Sequence, residues 1–93
     1  MSLPLSDIEI HRALGGMPGW SRRGNEIVRT YEFRTFADAM AFVARVGPIA
    51  DGLHHHPDID IRYTKVTLRL STHSAGGITK LDVQLAQAID AVP

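Results

Sequence analysis

The chain contains no cysteine. Disulfides, thiolate nucleophiles and zinc–thiolate sites are therefore excluded, and the absence fits a cytoplasmic protein. There is no surplus of charge either, since ten Lys and Arg balance ten Asp and Glu. A nucleic-acid binder would show a basic excess gathered on one face, and the balance gives no support to a membrane-surface role. No apolar run approaches the roughly 20 residues of a spanning helix. The N-terminus lacks the charged and apolar blocks of a signal peptide. Repeats, low-complexity tracts and interdomain linkers are also missing, so residues 1–93 are expected to form one domain with a modest core.

What is present is regular patterning. Ser6 stands three residues before Glu9, the spacing of a capping box, with Leu5 and Ile10 at the hydrophobic-staple positions. Ile10, Ala13 and Leu14 continue an apolar stripe, and Gly15-Gly16 end the helix. Glu26 to Arg34 reads as a strand in which Ile27, Tyr31 and Phe33 share one parity, with Arg29 the exception. Trp20 to Arg22 is a candidate partner strand through the turn Arg23-Gly24-Asn25. Thr35 and Asp38 form a second capping pair, followed by Phe36, Ala39, Met40, Val43 and Val46 at helical spacing. Gly47-Pro48 predicts a bend in that helix, or its end, before Leu53. Ile59, Ile61 and Tyr63 alternate with polar residues, as do Val66, Leu68 and Leu70. The short separation predicts an antiparallel hairpin. Thr79 and Asp82 cap a last helix carrying Leu81, Leu85, Ala88, Ile89 and Val92.

The order is α-β-β-α-β-β-α. Each strand has one apolar face and each helix one apolar stripe. The economical packing is an α+β domain, a four-stranded antiparallel sheet with three helices packed on one face. Tyr63 is expected to pack at the hairpin. Trp20, Met40 and the aromatics of the strand and second helix are expected in the core.

His54-His55-His56, three histidines in a row, interrupt this ordinary pattern. Imidazole changes charge near neutral pH, so a metal site, a proton-transfer site and a plain polar loop all need weighing. Zinc needs three or four converging ligands, whereas adjacent residues of an extended loop point in opposite directions. On the last strand His73 falls on the face opposite Val66, Leu68 and Leu70. The hairpin register sets residues near 56 to 58 against residues near 70 to 72, which brings His73 close to His55 and His56. Clustered imidazoles suit proton transfer; polar loop residues and helix-end caps remain the plainer reading.

Taken together, Asp51, His55-His56-Pro57, Tyr63, His73 and Asp82 resemble, in identity and spacing, the signature of the pterin-4a-carbinolamine dehydratases. The string Lys65 to His73 is similar to that family's last strand, and the likeness runs from about Leu14 to Val92. The resemblance implies the same sheet-and-three-helix fold, a homodimer or homotetramer, and a cytoplasmic hydro-lyase. Its reaction dehydrates 4a-hydroxytetrahydrobiopterin to quinonoid dihydropterin and so recycles the cofactor of aromatic amino acid hydroxylases. Neither a metal nor another cofactor is implied, and no nucleic-acid or membrane partner. The substrate loses hydroxide from C4a and a proton from N5, work for an acid and a base.

By resemblance, His55 and His73 are the principal acid–base residues, with His56 orienting the pterin and assisting. Asp51 is expected at the pterin's amide and amino edge, with Ser71 and Thr72 as further contacts. Asp82 reads most simply as the capping partner of Thr79. Two features depart from the family pattern: His54, where many relatives carry an acid or a small polar residue, and Gly47-Pro48. The alternatives are a dehydratase-like binding or dimerisation regulator, as in animal members that bind a homeodomain transcription factor, or a role in another pterin pathway.

Overall fold

The computed structural model describes residues 3–92, so Met1, Ser2 and Pro93 of the expected 1–93 domain lie outside the described residues. The elements are α1 (Asp7–Gly15), β1 (Ser21–Arg23), β2 (Glu26–Glu32), α2 (Phe36–Leu53), β3 (Asp58–Arg62), β4 (Lys65–Leu70) and α3 (Lys80–Asp90), with a 3-10 turn at His73–Ala75. The α+β order is as expected. All strand pairs are antiparallel, in the order β1-β2-β4-β3. The two hairpins therefore join through their second strands, Ile27 opposite Leu70 and Glu32 opposite Lys65.

One face of this sheet makes the core. Ile27, Val66, Leu68 and Leu70 pack there with Ile10 of α1, Val46 and Ala50 of α2, and Leu85 and Ile89 of α3. The other face carries Thr30, Asp60, Arg62, Lys65, Thr67 and Arg69. Arg29, the residue that breaks the parity of β2, shares the core side because its charge is met there. Its guanidinium lies 4.4 Å over the Tyr31 ring and donates to Asp90 Oδ1 at 3.1 Å and to the Pro18 carbonyl at 3.0 Å. Asp90 also accepts from Trp20 Nε1 at 2.8 Å and from the Tyr31 hydroxyl. Trp20 is thus a buried packing residue with its polar handle satisfied.

Helix α2 runs unbroken through Gly47-Pro48. An interior proline removes a helix hydrogen bond. Val46 and Ala50, buried on either side of it, hold the helix to the core regardless. Three expectations need correction. Phe36 and Met40 are 50% and 41% exposed, because Ala39, Phe42 and Val46 fill the contact with the sheet and leave those two on its flank. Tyr63 is 74% exposed: with φ 55° it sits in the β3–β4 turn, outside the paired residues of either strand.

Candidate active site

Three chain segments converge on one carboxylate. Thr79 caps α3, and the Asp82 side chain accepts from the Thr79 N–H at 2.8 Å, closing the expected capping box. The same oxygen, Oδ2, accepts from the Thr72 hydroxyl at 2.9 Å. The other, Oδ1, lies 2.5 Å from His55 Nε2. Thr72 in turn accepts from the Thr79 hydroxyl at 2.8 Å, which itself accepts from the Leu81 N–H at 3.2 Å. Asp82 is fully buried, and the His55 side chain is only 11% exposed. A carboxylate buried this way needs donors on both oxygens. The arrangement therefore assigns the Nε2 proton to the Asp82 contact, a tautomer inferred from the network. Nδ1, which makes no hydrogen bond among the described residues, is the nitrogen left for chemistry.

The end of α2 delivers His55 to this point. His54 adopts a left-handed conformation, φ 51° and ψ 37°. Its N–H bonds to the Asp51 carbonyl and that of His55 to the Ala50 carbonyl, both at 3.1 Å. This is the Schellman pattern, which turns the chain sharply off a helix end. His56 then reaches back to Asp51, Nε2 to Oδ1 at 2.8 Å, in a pair that is largely in solvent. Asp51, expected at the pterin edge, already holds an imidazole.

His73 opens the 3-10 turn and is exposed. With Asn25, Glu26, Ser71, Thr72 and Gly77 it lines a cleft of about 290 Å³. The bridge between Thr72 and Gly77, with Thr72 N–H to Gly77 carbonyl at 2.9 Å, pins that wall. The β3–β4 register, Asp58 opposite Arg69, projects back to set His55 beside Thr72, and the Thr72 hydroxyl stands 3.5 Å from His55 Nε2. His73 is therefore brought to the His55 neighbourhood through the residue before it. Among the described residues no imidazole hydrogen-bonds another, and no three of His, Cys, Asp and Glu converge as metal ligands. The sequence reading missed the Asp82–His55 contact and the Thr72–Thr79 link. The capping box was visible, and Asp82 stood with His55 in the signature, but neither says that these two side chains, 27 residues apart, meet.

The sequence profile described as pterin 4 alpha carbinolamine dehydratase matches residues 3–92. The chain belongs to this family. A relative from Roseiflexus sp. (strain RS-1), provisionally named a pterin-4-alpha-carbinolamine dehydratase, is 51% identical over 92 residues and 99% of each chain. One from Sulfurisphaera tokodaii, named in the same way, is 51% identical over 86 residues and 92% of each chain. The crystal structure of a transcriptional coactivator/pterin dehydratase from Brucella melitensis superposes with a TM-score of 0.91 at 33% identity, covering 95% of this chain and 96% of that one. A pterin dehydratase-like protein identified as a RuBisCO assembly factor in the alpha-carboxysome shares the fold, with a TM-score of 0.63 at 19% identity. Among the described residues of this dehydratase-family chain, no helix is long and apolar enough to cross a membrane.

Proposed function

We propose that this protein is a cytoplasmic hydro-lyase that dehydrates 4a-hydroxytetrahydrobiopterin to quinonoid dihydropterin, recycling the cofactor of aromatic amino acid hydroxylases. The C4a–O bond breaks, the departing oxygen takes a proton and leaves as water, and N5 gives up its proton. One of His55 and His73 protonates the oxygen and the other accepts the N5 proton. His56, held by Asp51, orients the ring, and Ser71 and Thr72 border it. The observation that carries this reading is the buried Asp82 carboxylate on His55 Nε2, the arrangement of a base oriented by a third group. A homodimer or homotetramer is proposed as the working form. The edge strand β3, with Ile59 39% exposed, offers unpaired backbone for it.

The test is dehydration of chemically generated 4a-carbinolamine by the purified protein. Catalysis above the spontaneous rate is expected, with His55→Ala and His73→Ala each lowering turnover about 10²-fold. Wild-type rates from both variants would overturn the assignment. A second reading, a dehydratase-like regulator of a partner protein, draws on the coactivator named in the Brucella melitensis structure. A protein that leaves the spontaneous rate unchanged would favour it.

A further inference from the structure

Four carboxylates lie near the signature histidines; two hold an imidazole and a third lies outside the cleft that His73 lines. Asp82 is buried and accepts three hydrogen bonds. Asp51 holds His56. Asp58 is exposed at the start of β3, opposite Arg69. Glu26 differs. It begins β2, is half-buried, lines the same cleft as His73, and makes no side-chain hydrogen bond or ion pair among the described residues. The side chains of Asn25 and Ser71, also in that cleft, have no partner among the described residues either. The β2–β4 register, Ile27 opposite Leu70, projects one step further to set Glu26 beside Ser71. Glu26 and Ser71, drawn partly out of water without a protein partner, lose hydrogen bonding that a ligand can restore, and the exposed Asn25 stands beside them.

Resting on the dehydratase reading, we propose that Glu26 recognises the amino–amide edge of the pterin. The 2-amino-4-oxopyrimidine ring presents its N3–H and 2-amino donors side by side, and a carboxylate accepts both in one plane. The neighbouring 4-carbonyl is an acceptor, which the Asn25 amide serves. A pterin anchored at Glu26 presents its reacting half to the imidazole lining the same cleft. The edge-reading role expected of Asp51 passes to a residue from the other hairpin.

Glu26→Gln keeps the shape and removes the charge. Steady-state dehydration of 4a-carbinolamine and calorimetric binding of 7,8-dihydrobiopterin are measured on wild type and variant. KM and Kd are expected to rise about 10- to 100-fold, the loss of a charge-assisted pair, and to rise more than kcat falls. Asn25→Ala, at the turn, is expected to raise both about 3- to 10-fold. A pteridine carrying hydrogen in place of the 2-amino group should show a smaller penalty from Glu26→Gln, which a merely structural role for Glu26 would not produce. Wild-type catalysis with KM and Kd unchanged in Glu26→Gln would overturn this inference alone. A wild type that neither binds the pterin nor speeds dehydration would overturn the dehydratase reading, and the inference with it.

Discussion

Asp82→Asn separates orientation of His55 from mere presence of an imidazole. The carboxylate accepts from His55 Nε2 at 2.5 Å, Thr72 Oγ1 at 2.9 Å and the Thr79 N–H at 2.8 Å. An amide supplies one acceptor oxygen and one donor nitrogen. If the nitrogen faced Thr79, two donors would meet in a fully buried site, so the oxygen stays with Thr79 and Thr72 and the NH₂ group turns to His55. Nε2 must then offer a lone pair, and the imidazole proton moves to Nδ1. The outward nitrogen then becomes a fixed donor, and the proton exchange proposed for His55 is impaired. Activity should fall about 10²-fold. Exchanging charge-assisted for neutral hydrogen bonds should cost about 1–3 kcal/mol of stability. For a domain of this size the thermal midpoint moves roughly 4–8 °C per kcal/mol. The assays are the first-order dehydration rate and calorimetry. The double variant His55→Ala with Asp82→Asn should be no slower than His55→Ala alone, because the two act as one unit. Asp82→Asn activity within about threefold of wild type, or multiplicative losses in the double variant, would refute the coupling.

Two further predictions concern the opposite end of α3. Gly19 has φ 94°, and a Cβ there would meet the Arg29 guanidinium at 2.8 Å. Gly19→Ala should therefore destabilise by about 1–3 kcal/mol through backbone strain and displacement of Arg29; a calorimetric midpoint equal to wild type would show that the contact yields freely. Burial, and then the hydrogen bond to Asp90, hold the Tyr31 phenol protonated well above its ordinary value of 10.0, against a smaller opposing effect of Arg29. A raised folded-state value leaves stability complete below that ordinary value and erodes it as pH climbs beyond. Thermal midpoints of wild type should decline above about pH 10 more steeply than those of Tyr31→Phe; parallel curves would sink the argument.

Local chemistry was legible where its causes are local. The Ser6–Glu9 and Thr79–Asp82 boxes appear at the expected places because a cap is set by residues three apart. The β3–β4 hairpin was legible for a similar reason, since a tight turn leaves few pairings, but its register was off by one residue: residues near 56 to 58 were expected opposite 70 to 72, and the observed pairing, Arg62 opposite Lys65, sets His55 beside Thr72. What was hidden depends on elements distant in the chain. Arg29 looked like an error in the pattern of β2 until Asp90, 61 residues later, met it. Met40 has an apolar side chain at a plausible spacing, yet only the packed helix shows which neighbours fill the contact. Helical periodicity marks a stripe but not how wide a partner surface is available to cover it.

The two ends of α3 place a carboxylate beside a signature histidine at one and within a cluster of packing residues at the other. A buried carboxylate at the N-terminal end sits where the helix dipole favours negative charge. Asp82 therefore needs no cation to remain in place, and one of its oxygens is free for an imidazole. At the C-terminal end the dipole disfavours negative charge. Asp90 is offset there by Arg29 at 3.1 Å and by two further donors, Trp20 and Tyr31. Both clamps fix α3 against the rest of the molecule, but only the first touches one of the signature histidines. Loss of the Asp90 clamp should therefore lower the melting midpoint while leaving the dehydration rate of the folded fraction intact, whereas loss of the Asp82 clamp must lower both.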